Sequence, residues 1–266
     1  MILKNILISS LLLLFPFVPK NLCAEKNNIK PVALQNMDNQ IMNAQELQTL
    51  KDKISNAASS PVLIRVLHIG DSHIKGGVFS QQFMQRLNAY YAAKYHNNLF
   101  FNFQWFCKIG TKYSDYIELA ELDAQLKSEQ PDLVIISLGV NDAASGSAET
   151  NFSQKVDHLI TKIKKLSPYS SILITTPSDA LKYNKAKGIY TPIPDLKNVV
   201  DMLIQYANEH TIAYWNLYGI MGGQYSINTW FEKKEAQPDR IHFTDKGYEI
   251  LAGWLFTAFT NSMESN

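Results

Sequence analysis

Four short segments of this chain hold residues whose types and spacing suit chemistry on a carbonyl group. Gly70-Asp71-Ser72-His73 offers a serine hydroxyl on a turn. Asp239-Arg240-Ile241-His242 sets an acid three residues before a histidine. A serine needs a base to take its proton, and that base needs a carboxylate to fix its tautomer and steady the imidazolium, so one such segment can deliver both partners. Gly139-Val140-Asn141-Asp142 supplies a side-chain amide, a neutral donor that can be aimed at a developing oxyanion. Gly110, within 109–115, has no side chain and could bring its backbone N–H close to a substrate. Each segment alone is weak, because Gly, Asp, Asn and Ser are ordinary turn residues and an Asp-x-x-His also fits a surface pair. Nor is the first one a G-x-S-x-G elbow, since Ile74 stands two places after Ser72.

The elements that must position these residues alternate along the chain. Apolar and β-branched runs at 62–69, 100–106, 133–138, 172–176 and 212–215 read as five strands. Helical spacing at 79–95, 113–126, 152–166, 196–208 and 244–259 supplies the helices between and after them. A short helix over 43–57 precedes the first strand. Buried strands separated by helices imply a parallel sheet covered on both faces. In such a sheet ligands bind beyond the carboxyl ends of the strands. Ser72, Gly110 and Asn141 each follow a strand directly, and His242 follows the last. That joint placement is much stronger evidence than any single motif.

Together G-D-S, the later Gly110, G-x-N-D and D-x-x-H resemble the four blocks of the SGNH (GDSL-like) hydrolases, over a stretch from about residue 62 to the last helix. The finer pattern is similar to the bacterial peptidoglycan O-acetylesterase subgroup: G-D-S-H after Val66-Leu67-His68-Ile69, Asp239 to Thr244 followed by Lys246-Gly247-Tyr248, and a lead-in helix at 43–57. Lys108 departs from that pattern, standing where relatives often carry a small or polar residue. The resemblance implies a three-layer α/β/α, flavodoxin-like fold with a parallel five-stranded sheet. It also implies Ser72 as nucleophile, His242 as base, Asp239 as its partner, and an oxyanion hole of the Ser72 and Gly110 N–H groups with Asn141. The expected reaction is ester hydrolysis through an acyl-serine intermediate, with no cofactor or metal. An acetylated glycan or other small ester is the expected substrate. The rivals are a lipolytic esterase for longer acyl chains, a sugar O-acetyltransferase and a non-catalytic carbohydrate-binding protein.

Composition sets the context. The chain has 266 residues, 46% hydrophobic and 18% charged, enough for one domain with a sizeable core. Lys4 followed by the apolar run of 6–18, too short to span a bilayer, predicts a signal peptide at 1–24 with cleavage after Ala24. Lipidation at Cys23 fits less well, because Lys20-Asn21-Leu22 lacks small residues. A polar lead-in and the short helix then fill 25–60, and the hydrolase domain 61–266. Removing 1–24 takes Lys4 and Lys20 and no acid, leaving 23 basic and 24 acidic side chains, net −1. Nothing in that balance steers the chain to nucleic acid, and nothing calls for stable membrane insertion. Cys107 would then be the last cysteine, with no internal disulfide. His68 reads as packed, His73 as a turn residue, and His96, His158 and His210 as scattered. Asp71 and Asp142 read as turn-holding carboxylates. Long polar stretches at 178–195 and 218–238 are expected to border the site, with Tyr190 and Trp230 as candidate sugar-binding aromatics or as loop packing.

Overall fold

The computed structural model describes residues 38–146 and 151–265; the expected signal peptide, Cys23 and most of the lead-in lie outside them. In chain order the elements are β1 (Ile41–Met42), α1 (Gln48–Ser55), β2 (Val62–Gly70), α2 (Ser72–Lys75), α3 (Val78–Lys94), β3 (Leu99–Cys107), α4 (Tyr113–Ile117) and α5 (Ala120–Glu129). There follow β4 (Leu133–Ser137), α6 (Val140–Ala144), α7 (Phe152–Leu166), β5 (Ser171–Thr175), β6 (Leu181–Asn184), β7 (Ile189–Pro192), α8 (Leu196–Glu209), β8 (Ala213–Trp215), α9 (Leu217–Met221), α10 (Ser226–Glu232) and α11 (Asp245–Glu264). Six strands form the main sheet in the order β1-β8-β5-β4-β2-β3. The five expected strands run parallel, with helices on both sides.

Period-two alternation sorts each strand between two cores. Ile64, Val66, Ile135 and Leu173 face one core with Leu50 of α1, Phe83 of α3 and Phe259 of α11. Leu67, Ile69, Val134, Ile136, Ile172 and Ile174 face the other with Leu126 of α5, Leu159 of α7 and Leu203 of α8. Burial on both faces explains why the strands read as continuous apolar runs rather than alternating ones.

Three features correct the sequence reading. A sixth strand, β1, pairs antiparallel with β8 at the sheet edge. Asn39 fixes it there, accepting from Trp215 Nε1 at 2.9 Å and donating to the Trp254 carbonyl at 2.8 Å. The single helix expected at 113–126 is broken, with Leu119 extended at φ −85°, ψ 105°. Lys162 of α7 makes the break tolerable, its ammonium donating to the carbonyls of Tyr116, Ile117 and Leu119 that a continuous helix would have used. The two polar stretches are not plain loops, since they hold the β6–β7 hairpin and helices α9 and α10.

On the first face, the strand ends nearest the site turn polar. His68 of β2 is buried between Ser80 and Ser137, each 2.8 Å from a ring nitrogen, and Ser137 accepts from Thr175 at 2.8 Å. Both ring nitrogens are thus satisfied without a charge, as the packed reading of His68 requires. Burial pushes the imidazole down to about 3. An unfolded chain therefore takes up a proton at His68 below about pH 6.5 while the folded chain does not, so this group removes stability as pH falls from 6.5 towards 3. Asp142 and Asp179, pushed by burial up to about 6, act in the opposite sense. A comparison of wild type with His68→Gln isolates the first effect. Between pH 7.5 and 5.0 the wild type should lose about 2 kcal/mol more than the variant in urea unfolding; parallel pH profiles would refute the assignment.

Candidate active site

Ser72 begins α2 where β2 ends. The strand turns at a glycine for a steric reason: a Cβ on Gly70 would lie 2.9 Å from the Ser137 carbonyl oxygen and 3.0 Å from Ile74. Asp71 then caps α2, its Oδ1 accepting the His73 N–H at 3.0 Å. Its Oδ2 accepts from the Asn141 amide at 2.9 Å, and the same Asn141 nitrogen donates to the Thr111 carbonyl at 3.1 Å. One side-chain amide thus ties together the segments after β2, β3 and β4. Asn141 is a strap as well as a possible donor, and with its amide nitrogen already bonded to Asp71 and Thr111 it reaches an oxyanion only by sharing or releasing one of them.

Gly110 lies exposed after β3 with φ +72°, and an added Cβ would meet nothing within 4 Å, so backbone conformation rather than space favours glycine. Lys108 leaves this turn undisturbed: its side chain points outward, 4.0 Å from Glu121, while its backbone N–H donates to Tyr116 Oη at 3.2 Å. Asp142 is fully buried and accepts the Tyr113 N–H at 3.3 Å. Both Asp71 and Asp142 therefore act on backbone groups, as turn-holding carboxylates do.

The Asp-x-x-His segment works through a divided carboxylate. Asp239 Oδ1 accepts the N–H groups of Ile241 at 2.9 Å and His242 at 3.0 Å, and Oδ2 lies 2.7 Å from His242 Nδ1. Burial would raise this carboxyl, but the imidazole bond, the two backbone donors and the charge of His242 outweigh it and hold the group below its ordinary value. A carboxylate only accepts, so Nδ1 carries the ring proton and Nε2 is left to accept. Ser72 Oγ lies 2.9 Å from that Nε2. The two residues are 170 positions apart in sequence and meet only through the fold.

The segment closes because Arg240 adopts φ +58°, a left-handed conformation that costs a non-glycine residue about 1 kcal/mol. Arg240 is clamped in it. Its N–H donates to the Gln237 carbonyl at 3.1 Å and its carbonyl accepts from Leu181 at 2.9 Å. Its guanidinium sits 3.7 Å from the Phe231 ring centre and 5.1 Å from that of Tyr190, and it hydrogen-bonds Asn228. Sequence reasoning missed Arg240, Asn228 and Phe231, since a cation clamp across three segments leaves no local signal.

His73 packs beside His242, their ring centres 5.1 Å apart, with its Nδ1 3.4 Å from the Tyr248 hydroxyl. Burial, foremost, pushes its imidazole below the ordinary value. Ser72 and His242 open onto a cleft of about 220 Å³ that also includes Lys75, Gln237, Asp245 and Tyr248. Behind His73 lies a smaller cavity of about 40 Å³, edged by Ile74, Leu138, Val140, Ser178 and Leu251. Trp230 borders neither. It is 5% exposed and packs edge-on against Phe243 and Trp254, so the sugar-binding role is withdrawn in favour of loop packing. Tyr190 is half-buried, its hydroxyl donating to the Pro238 carbonyl at 2.7 Å. It braces the Asp239 segment. Among the described residues no group of three or more His, Cys, Asp or Glu side chains could hold a metal.

A mostly parallel α/β sheet with linked Ser, His and Asp side chains beyond its strand ends is the arrangement of a serine ester hydrolase. Residues 68–250 match the model of the GDSL-like Lipase/Acylhydrolase family, and the chain belongs to that family. Among solved structures it is similar to a peptidoglycan O-acetylesterase, with TM-score 0.72 and 16% identity over 86% of this chain and 99% of that one. A two-domain esterase active on acetylated mannans gives 0.60 and 18%, over 85% of this chain and 58% of that one. An acetyl xylan esterase gives 0.56 and 19%, over 73% and 99%. At these identities the likeness is one of fold. No curated protein matches the sequence.

The clamp yields a direct expectation. Arg240→Ala should lower kcat on a small ester by about tenfold, the rate equivalent of about 1.4 kcal/mol, with little change in KM, because His242 loses its fixed orientation. An unchanged kcat would show that Asp239 holds the turn unaided.

Proposed function

We propose that this chain is an exported esterase that removes acetyl groups from a carbohydrate through an acyl-serine intermediate. The observation that carries the chemistry is the continuous hydrogen-bonded line from Ser72 Oγ through His242 to Asp239. In this reading Ser72 attacks the ester carbonyl as His242 Nε2 takes its proton. The tetrahedral oxyanion rests on the backbone N–H groups of Ser72 and Gly110 and on the Asn141 amide. His242 then returns the proton to the leaving sugar hydroxyl, and a water activated by the same imidazole releases acetate. Asp239 keeps its charge throughout and steadies the imidazolium.

The polarity of the cleft at Ser72 supports a sugar ester. It carries Lys75, Gln237, Asp245 and Tyr248, a lining suited to a sugar. The three structural neighbours named above, each described as acting on an acetylated or O-acetylated carbohydrate, support the same substrate class. Peptidoglycan is the finer possibility that the first of them suggests. Export rests on the apolar N-terminal run behind Lys4.

Three measurements test this function. Ser72→Ala should cut kcat on p-nitrophenyl acetate by roughly 10⁴ or more without loss of fold, while Asn141→Ala should cut it by roughly 10² with a smaller change in KM. Ordinary turnover by Ser72→Ala would end the acyl-serine mechanism, and a pure KM effect at Asn141 would make that residue a binding group. Across p-nitrophenyl esters, kcat/KM should fall steeply from acetyl to butyryl and octanoyl; a rise towards octanoyl would replace the carbohydrate esterase with a lipase. N-terminal sequencing of the mature protein should begin near Glu25, and retention of Met1 would overturn export.

A further inference from the structure

The β6–β7 hairpin stands outside the main sheet yet is fastened to the segment that orients His242. Leu181 donates to the Arg240 carbonyl at 2.9 Å, Tyr190 Oη donates to the Pro238 carbonyl at 2.7 Å, and the Arg240 guanidinium lies over the Tyr190 ring. Pro238 and Arg240 flank Asp239, so the base of the hairpin is fixed one residue from that carboxylate. From Leu181 to the turn at 185–188 the strand runs outward for about 13 Å, at roughly 3.3 Å per residue. The hairpin therefore forms a short projecting rim beside the cleft.

Its chemistry is one-sided. Residues 181–192 contain Lys182, Lys185 and Lys187 and no acid. All three lysines are exposed, and none makes an ion pair among the described residues. Three cations on one small hairpin repel one another and are relieved when an anion approaches. Tyr183, 50% exposed, pairs across the hairpin with Tyr190 at 5.2 Å between ring centres, on the face opposite Lys182. The cationic side chains of the hairpin suit a sugar chain that carries negative charge. Within the cleft Asp245 offsets Lys75, and Asp239 adds negative charge behind His242, so an anionic ligand gains more on the hairpin than at the reacting ester.

We propose that the hairpin is a docking surface for an acidic polysaccharide, an acetylated glycan bearing carboxylates along its chain, which is held by Lys182, Lys185 and Lys187 and presents an acetyl ester to Ser72. This deepens the acetylesterase reading and rests on it for the second step alone. The carboxylates contribute affinity and not chemistry, so the hairpin should act through KM.

The test compares wild type with the triple variant Lys182→Gln, Lys185→Gln, Lys187→Gln on three probes. Acetylated polymannuronate and acetylated β-mannan differ chiefly in a carboxylate for a hydroxymethyl on each ring, and p-nitrophenyl acetate reaches only the cleft. The expected result is a loss of about tenfold or more in kcat/KM on acetylated polymannuronate, through KM, with rates on mannan and the small ester unchanged. Wild-type activity on the acidic polymer should also fall between low and high salt, and that of the variant should not, because exposed charge pairs are screened. Equal losses on both polymers, or no loss on the acidic one, would overturn the proposal. Should wild type fail on p-nitrophenyl acetate, the esterase reading falls and docking is judged by binding: Ser72→Ala protein should retain deacetylated polymannuronate by calorimetry and lose it when the three lysines are also replaced. Failure to bind there overturns the docking surface independently of any catalysis.

Discussion

Asp239 has four lone-pair positions and uses them on two kinds of partner. One oxygen holds the backbone N–H groups of residues 241 and 242; the other holds the ring of His242. The first set of bonds makes the second possible, because it folds the chain back so that a histidine three residues on meets the acid that precedes it. A histidine held only by its ring would still pivot about its side-chain torsions, whereas here both its backbone and its ring are anchored to one group. The strained turn at Arg240 is the conformational cost of this arrangement, and the clamp by Phe231, Asn228, Tyr190 and Leu181 offsets it. Much of the loop structure between β5 and α11 can be understood as support for that turn.

The opposite half of the site is built from strand ends. Parallel strands finish at one level, which brings the turns after β2, β3 and β4 within reach of a single amide, that of Asn141. Beneath them the hydrogen-bonded line through Ser80, His68, Ser137 and Thr175 replaces apolar packing just where the strands approach the site. Buried polar lines of this kind add little net stability when satisfied and cost much when broken. They therefore favour one register of β2 against β4 and of β4 against β5, and so fix the height of Ser72 relative to its neighbours.

The cleft is open and polar, the cavity behind His73 is small, and the β6–β7 hairpin carries cationic side chains beside the Asp239 segment. Ser72, His242 and Asp239 are tied to the sheet through the turns and clamps around them, while the hairpin stands at its margin, where changes in length and charge disturb folding least.

The sequence by itself determined the five parallel strands, most of the helices that cover them and the placing of Ser72, Gly110, Asn141 and Asp239-x-x-His242. Those features are local: a strand buried on both faces must be apolar along its length, a helix shows its own period, and a turn at a strand end announces itself by Gly, Asp and Ser. Only the tertiary structure decided what depends on residues far apart in the chain. The sequence left Trp230 open between a sugar-binding aromatic and loop packing, and the fold decides for packing by setting Phe243 and Trp254 against it. The helix expected at 113–126 is broken because Lys162, more than forty residues on, supplies donors for its freed carbonyls. Asn39 finds Trp215 and Trp254 and turns a polar lead-in into an edge strand. Arg240 gives no local sign of its clamped position, which arises only when the chain folds three other segments around it. In each case the deciding free energy comes from a contact that does not exist until the chain is folded, so no local pattern of residues can reveal it.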